Sequence, residues 1–146
     1  TVRKQTELLL NRALITQTLD IYFDDFPGED GLEIPRAPLA TVTSLKYTDV
    51  DDTETTFSSS YYYTDTVSEP GRIVLKDGYD WPTDSLRPYW PVVARVVCGY
   101  GASGLCVPEP IRQFILVNIA NLYVNREADA TQLICPGLIT EYRLWR

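Results

Sequence analysis

The stretch Val107 to Glu127, VPEPIRQFILVNIANLYVNRE, is the longest apolar run in the chain, with prolines only at its start and no glycine. It predicts one long helix over about 108–127. Pro108 and Pro110 suit a helix start, because their missing N–H groups fall among donors that a first turn leaves unpaired. Glu109 favours the same end electrostatically. At about 100° per residue, Ile111, Ile115, Ile119 and Leu122 cover one face. Leu116, Val117, Ala120, Tyr123 and Val124 carry the apolar surface well round the cylinder. Such a helix is not at rest with one side in water. Asn118, Asn121 and Asn125 interrupt it at spacings of three and four, which draws the amides together, and amides among apolar neighbours need partners. Two architectures fit this pattern. The run is either the central helix of one domain's core with a solvated asparagine edge, or a helix that packs on its own domain and on neighbouring subunits. Periodicity alone does not separate them.

A chain of 146 residues suits one domain, burying about two thirds of the surface its unfolded form exposes. Hydrophobic content of 45% and charged content of 23% describe an ordinary globular protein. No apolar run approaches the ~20 residues of a membrane helix, and no signal-peptide pattern is visible. Methionine is absent even at position 1, which sets the expectation that a segment precedes Thr1. Net charge is −7, from 20 acidic and 13 basic residues. That balance disfavours a nonspecific grip on nucleic-acid phosphates and suits a surface past which DNA slides without sticking. Cys98, Cys106 and Cys135 lack the CxxC spacing of a zinc or redox site and are expected to be buried free thiols.

Residues 1–18 read as helical, with Val2, Thr6, Leu9, Leu10, Ala13 and Leu14 at helical spacing. The period then changes to two: Leu19, Ile21 and Phe23 alternate with Asp20, Tyr22 and Asp24, as a half-buried strand requires. Pro27, Gly28, Asp30 and Gly31 turn the chain into a short strand at Leu32–Ile34, and Pro35 and Pro38 confine the next residues to an edge or loop. Further strands are expected at Thr41–Tyr47, Glu54–Phe57, Tyr61–Tyr63 and Arg72–Leu75. A loop from Asp77 to Pro91 carries Trp81-Pro82 and Tyr89-Trp90-Pro91 as packing anchors. Val92–Cys98 is the most apolar strand and is expected to be central, ending at Gly99-Tyr100-Gly101. After the long helix, Ala128–Pro136 reads as loop and Leu138–Trp145 as a short helix or arm. The order of elements predicts an α+β fold over 1–146, with a β-rich insert at 19–101 forming a small antiparallel sheet or sandwich between helices.

Histidine is absent, which removes Ser-His and Cys-His nucleophile pairs and HExxH zinc sites. Asp24 with Asp25 and Glu29 with Asp30 are carboxylate pairs in name, but neighbouring strand residues point to opposite faces and the second pair has turn composition. No catalytic residue, metal site or cofactor is expected. The acidic stretch Asp49, Asp51, Asp52 and Glu54 lacks the glycine and final glutamate of a calcium loop and reads as a surface turn. Tyr61–Tyr63, Trp81 and Trp90 offer an alternative function, a β-sandwich that binds glycans through exposed aromatic rings; aromatic residues in a small β domain also serve as core and turn anchors.

Taken together, several short motifs resemble the head-to-tail adaptor, or connector, proteins of long-tailed bacteriophages and their prophage or gene-transfer-particle relatives. They fall in the family's order: Arg12-Ala13-Leu14-Ile15-Thr16-Gln17-Thr18, Glu33-Ile34-Pro35-Arg36 with Pro38, then Ser44 and Tyr47. Glu69-Pro70-Gly71-Arg72-Ile73, Trp81-Pro82 and Gly99-Tyr100-Gly101 come next. Val107-Pro108-Glu109-Pro110-Ile111-Arg112-Gln113, followed by Tyr123, Asn125, Arg126 and Glu127, carries the strongest likeness, and Tyr142-Arg143 resembles the family's ending. Members begin with a further helical segment that this chain lacks, and Cys98 and Cys106 depart from the pattern.

The resemblance implies a noncatalytic virion protein of the neck, assembled in the host cytoplasm, in a ring that is dodecameric in most such proteins. The ring would lie between the portal protein and a tail-side neck, stopper or terminator protein, with DNA passing through its lumen and no membrane involved. On this reading Arg112, Leu116, Asn118, Asn121, Tyr123, Asn125 and Arg126 meet the neighbouring subunit. The portal-docking arm comprises Leu138, Tyr142, Arg143, Leu144, Trp145 and Arg146.

Overall fold

The first helix, α1 (Val2–Leu10), stops where Asn11 takes a left-handed backbone with φ of 57°, a conformation that asparagine tolerates better than most side chains. The computed structural model describes residues 2–28, 31–125 and 133–145. The helix expected over 1–18 is thus shorter, and the helical spacing of Ala13 and Leu14 arises in a turn. Both are buried, and the Leu14 N–H donates to Glu7 Oε1 at 3.0 Å. Seven strands follow: β1 (Gln17–Phe23), β2 (Leu32–Glu33), β3 (Leu39–Thr48), β4 (Glu54–Phe57), β5 (Tyr62–Asp65), β6 (Arg72–Leu75) and β7 (Val92–Cys98). The long helix α2 is Glu109–Val124, with Pro108 at its N-cap and Asn125 at its C-cap. Short 3₁₀ turns occupy Ser59–Tyr61, Gly104–Cys106 and Pro136–Tyr142. The fold is α+β.

The chain divides into two compact units, Thr1–Thr16 with Gly99–Arg146, and Gln17–Cys98. In the second unit the sheets run in the orders β1-β7-β3-β4 and β2-β6-β5, with antiparallel pairing throughout. β7 lies between β1 and β3, as its apolar composition predicts. Val92, Ala94, Val96 and Cys98 are buried on its inner side. On the outer side Arg95 stands opposite Asp20 and binds both carboxylate oxygens at 2.7 Å. These hydrogen bonds hold the Asp20 carboxyl below its ordinary pKa. The pair is exposed, so it keeps the sheet face wetted rather than adding much stability.

Loop 77–91 is tied to this unit by rings. Trp81 stacks on Phe26 with centroids 5.1 Å apart and tilts against Phe57 at 5.6 Å. Trp81-Pro82 is therefore an anchor, but the Tyr89 and Trp90 rings are not: both residues are exposed, and among the described residues the Trp90 ring meets the exposed Tyr22 ring alone, at 5.6 Å. The thiols also divide. Cys98 is buried, which pushes its pKa up to about 11, whereas Cys106 and Cys135 are exposed, a correction to the expectation of three buried thiols.

In the first unit, Leu10, Leu14, Val107, Ile111, Phe114 and Ile139 form a sealed cluster. Gly99 is required beside it, since at φ 131° a Cβ would sit 2.6 Å from the Ile15 carbonyl. Arg12 is buried and donates to the Tyr142 carbonyl and, at 3.2 Å, to the Tyr100 hydroxyl. The Leu144 N–H donates to the Leu10 carbonyl at 3.0 Å. The C-terminal segment is thus held by polar and apolar contacts together.

Phe114 is the largest sealed side chain of this cluster. Phe114→Ala is expected to lower unfolding free energy by about 3–5 kcal/mol in urea titrations. Ile119→Ala, on an exposed position of the same helix, should cost no more than about 0.5 kcal/mol.

Candidate subunit interface

Helix α2 buries a narrow stripe, Ile111, Phe114 and Asn118, at spacings of three and four. Of the face Ile111, Ile115, Ile119 and Leu122, Ile111 alone is fully buried, and Ile119 is 50% exposed. On the outward side Leu116, Ile119, Ala120 and Tyr123 are all exposed, with Tyr123 at 75%. Their spacing of i, i+3, i+4 and i+7 is that of a helix face made to pack. Val117 and Val124 flank it and are exposed too. The helix therefore presents an apolar stripe that its own unit leaves uncovered.

Asn121 and Asn125 meet as their spacing predicts, and Asn118 parts from them. Asn118 is 1% exposed. Its amide nitrogen donates to the carbonyls of Phe114 at 2.9 Å and Ile134 at 3.2 Å, and its oxygen accepts the Ile134 N–H at 2.7 Å. It is an internal strut for residues after the helix, not a group facing a neighbour. Asn125 donates to Asn121 Oδ1 at 2.8 Å nearer the surface. Arg126 lies outside the described residues.

The start of α2 borders a groove of ≈ 330 Å³ lined by the apolar side chains of Leu14, Val107, Ile115 and Leu116 and by Arg3, Glu109, Arg112 and Gln113. The Arg112 Nε is buried and has no hydrogen-bond partner. Of the expected interface residues, Arg112 and Leu116 thus meet at one groove, Leu116 and Tyr123 share the exposed stripe, and Asn118 belongs to the core.

The expected arm also divides. Leu138, Arg143 and Trp145 are exposed, and the Arg143 guanidinium lies 4.3 Å over the Trp145 ring. Leu144 is buried and Tyr142 packs against the cluster around Phe114, so these two fasten the segment to its own unit rather than project from it. Arg146 lies outside the described residues. Two side chains carry more of this arrangement than their sequence pattern implies: Phe114, and Arg12 at the head of the 12–18 motif. Phe114, three after Ile111 and four before Asn118, was available from spacing; Arg12 left no periodic signal, because its partners lie far along the chain.

Other expectations resolve into local structure. Asp49 Oδ1 accepts the N–H groups of Asp51 and Thr53, each at 2.9 Å, which makes the acidic stretch a surface turn. Asp25 accepts the Phe26 N–H, and Asp24 is exposed; Glu29 and Asp30 lie outside the described residues. Among the described residues no cluster of three or more His, Cys, Asp or Glu is placed to hold a metal. None of their helices is long and apolar enough to cross a membrane. Tyr62 is buried, Tyr61 stacks on Tyr79, and Trp81 is engaged by Phe26. No ring contact among the described residues joins these to Trp90, so the five aromatic residues of the glycan reading do not form one platform.

No protein-family model and no curated protein matches this chain. Solved structures do. The chain is similar to a protein in the neck of a native gene transfer agent particle computed with C12 symmetry, at TM-score 0.80 and 23% identity, over 99% of this chain and 80% of that one. It is similar to one in the neck of an empty particle computed with C6 symmetry, at TM-score 0.79 and 23% identity, over 99% and 76%. A third likeness, to a chain in the virion of the native particle, has TM-score 0.77 and 22% identity, over 99% and 75%. At these identities the likeness establishes the fold.

Asn118→Ala would leave both polar groups of Ile134 without their partner, at a cost of about 1–3 kcal/mol. Hydrogen exchange at the Ile134 amide should accelerate. Asn121→Ala, nearer the surface, should change stability by less than about 0.5 kcal/mol.

Proposed function

We propose that this protein is a noncatalytic structural subunit of a phage-like particle: a head-to-tail adaptor whose copies form a ring in the neck, between the portal and a tail-side protein. Both compact units serve one adaptor subunit, and DNA passes through the ring without sequence-specific binding. The observation that carries this reading is the exposed stripe Leu116, Ile119, Ala120 and Tyr123 on α2. Burying such a stripe between subunits releases about 25 cal/mol for each Å² removed from water. The likeness to neck structures computed with C12 and C6 symmetry supports a ring as the assembly that covers it. A net charge of −7 supports a lumen that repels phosphates.

The exposed tip of the C-terminal segment, Leu138, Arg143 and Trp145, is the portion suited to dock on the portal. Trp and Arg together are typical of residues that dominate binding energy at protein interfaces. Ile139 and Leu144, being buried, keep the tip's base in place.

Purified full chain, alone and with its portal, is expected to give rings in negative-stain images and a matching mass by light scattering. A chain that stays monomeric at high concentration, with no ring on the portal, overturns the reading. Leu116→Glu with Ile119→Glu should retain the circular dichroism of the native chain but raise the concentration for half-assembly by about a hundredfold, or ~2.7 kcal/mol. Trp145→Ala should weaken portal attachment about tenfold or more while rings still form; unchanged attachment removes the arm from portal docking.

A further inference from the structure

The groove at the start of α2 has a chemistry of its own. It is lined by the apolar side chains of Leu14, Val107, Ile115 and Leu116 and by two arginines, Arg3 and Arg112. Neither arginine has an ion pair among the described residues, and Arg112 Nε is both buried and unpartnered. Glu109 lies on the same groove, three residues before Arg112, without pairing to it. Arg112 Nε is sealed from solvent, but Arg3 is exposed and Arg112 only half-buried, so two positive charges border the groove and attract a carboxylate there. The fitting occupant presents an apolar side chain with a carboxylate beside it.

The chain itself carries such a segment. Val50 is 60% exposed at the tip of the β3–β4 turn, and Asp51 and Asp52 follow it directly, both exposed. The tip is already ordered. Asp49 Oδ1 accepts two backbone N–H groups, the Val50 N–H donates to the Ser85 carbonyl at 3.1 Å, and Asp52 holds a left-handed φ of 58°. Ordering before contact lowers the entropic cost of binding. Asp52 reaches Arg87 only at 3.5 Å, and the Asp51 carboxylate has no ion pair among the described residues.

We infer that the groove of Arg3 and Arg112 receives the Val50-Asp51-Asp52 turn of a second copy of this chain. Val50 enters over Leu116 and Ile115 while the carboxylates meet the guanidinium groups. Groove and turn are different patches of one chain, so the contact is heterologous and repeats head to tail, the type of contact that closes into a ring. This inference rests on the ring reading and adds to it the pair of surfaces that sets the direction of assembly. Nucleic-acid phosphate is a poorer occupant, because the lining is mostly apolar and the chain's net charge is −7.

The test is a charge swap in full-length protein. Arg112→Glu alone and Asp51→Lys alone are each expected to raise the concentration for half-assembly about tenfold or more, with native circular dichroism. An equimolar mixture of the two variants should assemble close to the native concentration. In the mixture a reversed groove can take a reversed turn, and the remaining native groove a native turn, so alternation satisfies every contact. Arg3→Glu, on an exposed side chain, repeats the experiment should Arg112→Glu fail to fold. If the single variants assemble like the native chain, or the mixture assembles no better than its parts, the inference is overturned while the ring reading stands. If the native chain forms no ring, both fall together.

Discussion

Everything in the helical unit depends on how α2 divides its apolar surface. The helix is apolar on more sides than one small unit can cover, and only the stripe Ile111, Phe114 and Asn118 is sealed. Each fully buried aliphatic or aromatic side chain in that cluster contributes about 1.5–3 kcal/mol relative to exposure. Asn118 is tolerated there because its amide is completely engaged: it ties Ile134 by two hydrogen bonds and closes onto the Phe114 carbonyl. That strut fixes the chain just before the Pro136–Tyr142 turn, and the turn returns Ile139 to the cluster. Buried Arg12 completes the arrangement from the other end of the sequence by binding the Tyr142 carbonyl. With the sealed side so determined, Leu116, Ile119 and Tyr123 are left facing outward.

The β-rich unit answers a different constraint. β7 is flanked by strands on both sides; its buried residues Val92, Ala94, Val96 and Cys98 build the inner layer, and Val93, Arg95 and Val97 alternate with them on the outer side. The outer layer is wetted by Asp20–Arg95 and Lys46–Glu54, pairs too exposed to add much stability but sufficient to keep the sheet from offering a second apolar face. Aromatic contacts then hold the long loop 77–91 without regular secondary structure. On α2 the exposed apolar residues form one continuous stripe, whereas those of the β-rich unit, such as Val50, Val67 and Tyr63, lie at separate places along its turns and strands.

Much of this was legible in the chain. Strand periods at 54–57, 72–75 and 92–98 coincide with the observed elements, and the apolar character of 92–98 correctly implied a central strand. Prolines at 108 and 110 marked the helix start. Less legible was anything that depends on contacts between distant segments. Three asparagines at helical spacing look alike in sequence, yet one is sealed in the core while the other two bond to each other near the surface. Leu138 and Leu144 are the same residue type in one short segment, but one is exposed and the other buried. The first helix, read to 18, ends at Leu10, because Asn11 adopts a backbone conformation that propensity permits but does not require.

By itself, then, the sequence determined that a helix over about 108–127, found at 109–124, has too much apolar surface, that strands surround 92–98, and that histidine-based chemistry is excluded. Those properties follow from local hydrogen bonding, side-chain period and composition, which act over neighbours in the chain. Only the tertiary structure decided which stripe of that helix is inside, which asparagine is a strut, and where two arginines are left beside an apolar groove. The reason is that a helix fixes the angles between its side chains but not its rotation about its own axis. That rotation is set by what Leu10, Leu14 and Ile139 bring against it from elsewhere in the sequence.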